Sequence, residues 1–213
     1  GSGSGAHSLS ARIFGFNVYS FDYDIESVNA SKALRERFYK EDENWVVKQG
    51  SILDSNFINI LINKFDIVYS WGVLHHTGNM MLSLKNIAKI PKKGGYLIIS
   101  IYNDQGFKSK YWKIIKKLYN SNFVARYAII TLHAPYFLIL IPLIKFLIEK
   151  KFYINRGMNL WTDYLDWIGG YPFEVAKTNK IVKFFEERKY KLVYLNNIKN
   201  RLGCNEFIFK KIS

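Results

Sequence analysis

GSGSGAHSLSARIFGFNVYSFDYD, residues 1–24, holds a glycine-rich turn, a helix-compatible stretch and an apolar strand that ends in acid. Glycines at 1, 3 and 5 let the backbone turn sharply and approach a ligand closely, and the helix that follows offers free N–H groups at its start. Asp22 ends the strand expected over Asn17–Phe21, 21 residues past Gly1. A carboxylate at that distance, about 20 residues from the turn, is placed to accept ribose hydroxyls. GSGSG alone would also suit a flexible linker, but a linker gives no reason for helix, strand and acid to follow in register. The stretch therefore reads as the first cofactor-binding half of a nucleotide-binding α/β domain. The strand that should precede Gly1 is not in the sequence, and residues upstream of Gly1 are expected in the natural protein.

Working outward, apolar runs alternate with helical spacing through the first half, as in a doubly wound parallel sheet with helices on both faces. Ile25–Tyr39 is expected as a helix capped by Asp24, and Trp45–Lys48 as a short strand ending at Gly50. Phe65–Ser70 and Tyr96–Tyr102 read as buried strands. Between them a helix over Met81–Ile90 is stopped by Pro91, with a turn at Gly94 and Gly95. The alternation returns with a helix near Asn179–Arg188 and strands over Leu192–Leu195 and Glu206–Phe209. The whole of 1–213 reads as a single domain with a helical insertion, 107–155, ahead of its last two strands.

The net charge of +14 is unevenly placed. Residues 1–106 hold 11 basic against 10 acidic residues, whereas 107–213 hold 20 against 7. An anionic partner for the back half is implied: a phosphate-bearing substrate, an acidic membrane surface or nucleic acid. A lysine-rich composition with no functional meaning is the plain alternative. Within the insertion, Tyr127–Ile144 runs 18 residues without a charge, bracketed by lysines at 108, 110, 113, 116, 117, 145, 150 and 151. A membrane span is rejected, because Pro135, Pro142 and His133 interrupt the run and a span would part the final strands from their sheet. Two readings remain: a buried helical lid over the active site, or a patch across 107–151 that rests on a bilayer at the inner membrane face. A single cysteine, Cys204, excludes an intrachain disulfide framework and suits the cytoplasm. It is expected as a small buried apolar residue.

Ligands of open α/β sheets bind beyond the carboxyl ends of the strands. The polar clusters fall there: Asp22–Asp24, Gly50–Ile52, Trp71–His76 and Tyr102–Asp104. The succession GSGSG, VYSFDYD, QGSILD, FDIVYSWGVLHHTGN and KKGGYLIISIYN resembles class I S-adenosylmethionine-dependent methyltransferases. With DWIGGYPFEVA and LGCNEFIF the likeness extends to a bacterial subgroup near the ubiquinone-biosynthesis O-methyltransferases. The resemblance implies a seven-stranded sheet with its last strand antiparallel and S-adenosylmethionine as cofactor. It also implies Gly1, Ser2, Gly3 and Gly5 around the cofactor's methionine part, Asp22 on the ribose, Tyr23 against the adenine, Ser51 and Ile52 at its edge, and Ser70 with Trp71 near the methionine end. Where the family often has Asp, this chain has Ser51, which weakens the adenine contact.

Methyl transfer from a sulfonium needs neither metal nor covalent nucleophile; alignment supplies roughly 7–11 kcal/mol and a general base adds about 10² to 10⁴ in rate. His75 and His76 are the candidate bases, His76 favoured, against the alternative that both only pack. A metal site at two adjacent histidines is not expected. Tyr102, Asn103 and Tyr171 are candidate acceptor-binding residues. Trp161, Tyr164 and Trp167 fit either that pocket or a core-facing stripe. The acceptor is expected to be a small molecule, amphipathic or phosphorylated, linked to a lipid, quinone or sugar. The rival readings are an NAD-dependent oxidoreductase, because Gly1, Gly3 and Ala6 meet a relaxed dinucleotide fingerprint, and an RNA methyltransferase. The second is disfavoured, because the lysines sit among aliphatic runs rather than exposed aromatic platforms.

Overall fold

Strands and helices alternate from the glycine turn onward, and the computed structural model describes residues 1–150 and 159–213. Helix α1 (Ala6–Ile13) leads into β1 (Val18–Asp22) and then α2 (Ile25–Phe38). The Asp24 carboxylate caps α2 by accepting the N–H groups of Glu26 and Ser27, donors the first helical turn leaves unpaired. β2 (Trp45–Gln49) runs parallel to β1. Trp45 is fully buried there, and its indole N–H donates to Ser20 Oγ on β1 at 2.9 Å.

After α3 (Ser55–Asn59) come β3 (Phe65–Trp71), α4 (Met80–Ile87) and β4 (Pro91–Tyr102). The helix expected to reach Ile90 ends at Ile87, and β4 begins at Pro91 rather than at Tyr96. Lys64 donates its N–H to Ile90 O, and Pro91 pairs with Phe65 across a register shift. Proline is tolerated as the first residue of a strand, where no ladder donor is required of it.

Helices α5 (Phe107–Tyr119), α6 (Phe123–Pro135) and α7 (Ile141–Glu149) form the insertion, with one π turn at Tyr136–Leu140 joining the last two. The expected lysine at 151 and the remainder of the insertion to 155 lie outside the described residues. α8 (Leu160–Gly169), α9 (Thr178–Glu186), β5 (Tyr190–Asn196) and β6 (Cys204–Lys211) complete the order. β6 is antiparallel to both β4 and β5, as the resemblance implied.

Among the described residues there are six strands rather than seven, in a ladder β1–β2 and a second ladder β3–β4–β6–β5. No backbone pairing joins β1 to β3; aromatic contacts span the space instead, His7 to Tyr69 at 5.2 Å and Tyr19 to Phe65 at 5.8 Å. The main core lies on β4 and β6, where Leu97, Ile99, Phe207 and Phe209 are almost wholly buried against α4 and α9. Cys204 is half-buried, and burial pushes its thiol up to about 11.

The expectation of a buried lid is corrected: only 11% of the most apolar window of Phe123–Ile148 is buried. One face of α6 packs, through Ile129 and His133, while residues such as Leu132 and Ile139 stand in solvent. The segment is apolar on both sides, so a single layer of neighbours can cover only half of it.

Candidate active site

The glycine turn is fastened to the end of β1. The N–H groups of Gly1 and Ser2 both donate to Phe21 O, and Gly3 N–H donates to Asp22 Oδ2 at 2.8 Å. Ser31 on α2 donates its hydroxyl to Gly3 O at 2.9 Å. Gly5 is required twice over: its φ is 85°, and a Cβ there would meet the Ser31 Cα at 3.0 Å. Its position opens α1, so the turn presents the start of that helix to a ligand. Gly50 N–H donates to Asp22 O, which brings Ser51 beside the same acid.

These residues fit S-adenosylmethionine. Ser2 Oγ is buried with no partner among the described residues, a polar atom that the cofactor's methionine part would satisfy. Asp22 keeps a half-buried carboxylate at the strand end, with Tyr23 open beside it at 78% exposure. Ser51 Oγ accepts the Leu53 N–H. Ile52 departs from its expected place at the adenine's edge, because its side chain packs into the main core. Ser70 is buried, and Trp71 stacks on Tyr69 with ring planes 8° apart. A Cβ on Gly1 would lie 2.5 Å from Val73, so the glycine turn abuts the loop after β3.

That loop carries the second half of the site. A cavity of about 580 Å³ is lined by Gly72, His76, Tyr102, Asp166, Trp167 and Tyr171 among others. Gly72, at φ 73°, has its N–H donated to Ser100 Oγ. The segment 171–176 is tied to the histidine turn by three bonds. Nδ1 of His76 lies 2.6 Å from Pro172 O, Glu174 N–H donates to His75 O, and Met80 N–H donates to the Glu174 carboxylate.

A carbonyl only accepts, so His76 carries its proton on Nδ1 and leaves Nε2 as a lone-pair acceptor. Nε2 has no hydrogen bond to any described residue. Burial lowers the His76 pKa, opposed by the Pro172 carbonyl and Asp166. His75 is a different case. It is fully buried, its Nδ1 accepts the Tyr102 N–H at 3.3 Å, and burial drives its pKa down to about 3. It does not line the cavity, and its place is that of a packed, neutral residue. The sequence reading favoured His76 without placing either ring, because adjacent positions in a short 3₁₀ turn, Leu74–His76, diverge only once the loop is folded.

Tyr102 lines the cavity with its ring 4.1 Å from that of His75, and burial raises its hydroxyl to about 12. Tyr171 is 41% exposed at the rim. Asn103 is not in the cavity: its side chain donates to Lys199 O and accepts from Asn205, stapling the end of β4 to the last hairpin. Trp167 both lines the cavity and stacks edge-on against Trp112, whereas Tyr164 is core and Trp161 is exposed. Sequence reasoning missed Asp166, whose only signal is its place beside Trp167 on a helix that ends in Gly169–Gly170. It also missed the role of Lys116, read only as one of a row. Lys116 is fully buried on α5, donates to Trp167 O at the end of α8 and lies 4.1 Å from the Trp167 ring. Burial lowers its pKa to about 8. It pins the helix end that forms the cavity wall.

No groups of three or more His, Cys, Asp or Glu suited to a metal ion occur among the described residues. Compared by sequence with the curated proteins, the chain finds no match. Among solved structures it is similar to magnesium protoporphyrin IX methyltransferase from Synechocystis PCC 6803 with bound SAH, at a TM-score of 0.58 and 12% identity over 99% of this chain and 71% of that one. A SAM-dependent methyltransferase from Methanosarcina mazei gives 0.54 and 16% over 100% and 90%. The [4+2]-cyclase SpnF gives 0.60 and 9% over 99% and 73%. These likenesses establish the fold. The family described as a methyltransferase domain matches residues 1–154, including the glycine turn, Asp22 and both histidines. The chain therefore belongs to the methyltransferase-domain family and is a class I, S-adenosylmethionine-dependent methyltransferase rather than a dinucleotide oxidoreductase.

Proposed function

We propose that the chain methylates an oxygen or nitrogen of a small molecule held in the cavity between Gly72 and Tyr171, with His76 as the general base. The observation that carries this reading is the fixed tautomer of His76, whose Nδ1–H is held by Pro172 O and whose Nε2 is left without a protein partner on the cavity wall. When bound, S-adenosylmethionine supplies a methyl group already activated on a sulfonium sulfur. Asp22 and the glycine turn would hold it; Gly72 and Trp71 would border both ligands. His76 Nε2 takes the acceptor's proton, and its lowered pKa keeps it unprotonated at neutral pH. Tyr102, with a hydroxyl that stays protonated to about pH 12, donates a hydrogen bond to the acceptor. An amphipathic acceptor linked to a lipid, quinone or sugar, in a cytoplasmic setting, suits the mixed lining of Trp167, Tyr171 and Asp166.

The test is titration with S-adenosylhomocysteine and with NAD, followed by transfer of labelled methyl to phenolic, carboxylic and amine acceptors. Binding of S-adenosylhomocysteine alone, with transfer that fails in His76→Ala, is the expected result. Wild-type turnover in His76→Ala at every pH would remove the base from the scheme.

A further inference from the structure

The feature that the methyltransferase site leaves unused is the outward face of α5, α6 and α7. Phe123–Ile148 is a helical run of 26 residues, about 39 Å long at 1.5 Å per residue, whose most apolar 18-residue window has a mean hydropathy of 1.9. Its outward side presents Leu132, Ile139, Leu143 and Leu147, spaced seven, four and four residues apart and each at least half exposed, and Phe123 and Ile148 stand exposed at its two ends. A contiguous apolar face of this extent is rare on a surface that meets only water. The charge of this segment is equally one-sided, for residues 107–150 hold 8 Lys or Arg, the buried Lys116 among them, and a single acid. On α5, Lys108, Lys110 and Lys113 are exposed next to Phe107 and Ile114.

We propose that this face docks in the plane of an anionic lipid bilayer, its apolar row among the acyl chains and the α5 lysines on the headgroup phosphates. Three observations select that occupant. The inner side of α6 is committed to the domain: Tyr164 donates to Ile130 O, and Tyr111 bonds His133 at 2.8 Å, so the helix lies along the protein instead of leaving it to cross a membrane. A second copy of the same face would bring two like-charged basic rims together. Nucleic acid would match the lysines but leave the apolar row in water. The cavity wall is built on the same helices, since Lys116 of α5 holds the end of α8. Docking would therefore set the cavity close to the lipid surface.

Flotation of the full chain with vesicles of phosphatidylcholine, with and without phosphatidylglycerol, tests the proposal. Binding on the order of a hundredfold tighter to the anionic vesicles is expected, weakening as salt is added. The triple variant Leu132→Glu/Ile139→Glu/Leu143→Glu and the variant Lys108→Glu/Lys110→Glu/Lys113→Glu should each lose it. Unchanged affinity for S-adenosylhomocysteine would show that both variants remain folded, whatever the fate of the His76 assignment. Three results would overturn the proposal: no flotation with either vesicle, a wild-type dimer that the Leu132 triple variant makes monomeric, or salt-sensitive RNA binding in place of vesicle binding.

Discussion

The glycine turn with its frame and the insertion 107–150 use their polar and apolar atoms in opposite ways. Around the turn, short polar side chains are directed at the backbone, Asp22 at the Gly3 N–H and Ser31 at the Gly3 carbonyl, while the Trp45 indole donates to the Ser20 hydroxyl. The result is a rigid cradle of nearly balanced charge, 11 basic against 10 acidic residues over 1–106. In the insertion, inward contacts are made mainly by rings and aliphatic groups, and the outward face is apolar too. A segment that shapes a ligand must hold its backbone still, whereas a segment apolar on two faces has a second surface to meet.

That contrast can be broken in order of expected effect. His76→Ala should lower turnover by about 10² to 10⁴ while leaving affinity for S-adenosylhomocysteine unchanged. In the wild type, the acid limb of the rate profile should lie below the ordinary histidine pKa of 6.5, because burial favours the unprotonated ring. Initial rates between acidic and neutral pH check both. Ile99→Ala, in the fully buried core under the site, should cost about 2–5 kcal/mol in urea unfolding. Gly5→Val should weaken cofactor binding on the order of a hundredfold, since a β-branched residue at φ 85° strains the turn that Ser31 already fills. Calorimetric titration measures it.

A pH-dependent effect concerns His75. Its folded pKa of about 3 lies below the ordinary 6.5, so the unfolded chain binds its proton first as pH falls. Stability should be intact above about pH 6.5 and decline towards pH 3 by about 1.4 kcal/mol per unit. Urea midpoints of the wild type and of His75→Asn should diverge at neutral pH and converge in acid. Least of all, Leu132→Ala on the outward face of α6, at 74% exposure, should change stability by less than about 0.5 kcal/mol. A large loss there would mean that the face is covered within the domain.

Much of the cradle was legible in the sequence because its determinants are local. Asp24 caps α2 as its position suggested, and Gly5 requires a positive φ at the mouth of α1. Strand ends were less legible: Pro91 looked like a helix stop and instead starts β4, because its neighbour Ile90 is held by Lys64, the residue before β3. Asn103 looked like a cavity residue and is a staple to Asn205, a partner on the last strand. Ile52 was placed by analogy at the cofactor and lies in the core, where the Asn86 side chain of α4 donates to its carbonyl.

By itself the sequence determined the order of turn, strand, acid and helix and the segregation of basic charge. These follow from spacing, capping and composition, which act over a few residues. Only the tertiary structure decided which histidine meets the cavity, that Lys116 is a buried brace rather than a surface charge, and that the apolar helix is open instead of covered. Burial and the hydrogen bond from His76 to Pro172, 96 residues apart, depend on which segments meet in space. No local pattern encodes that meeting.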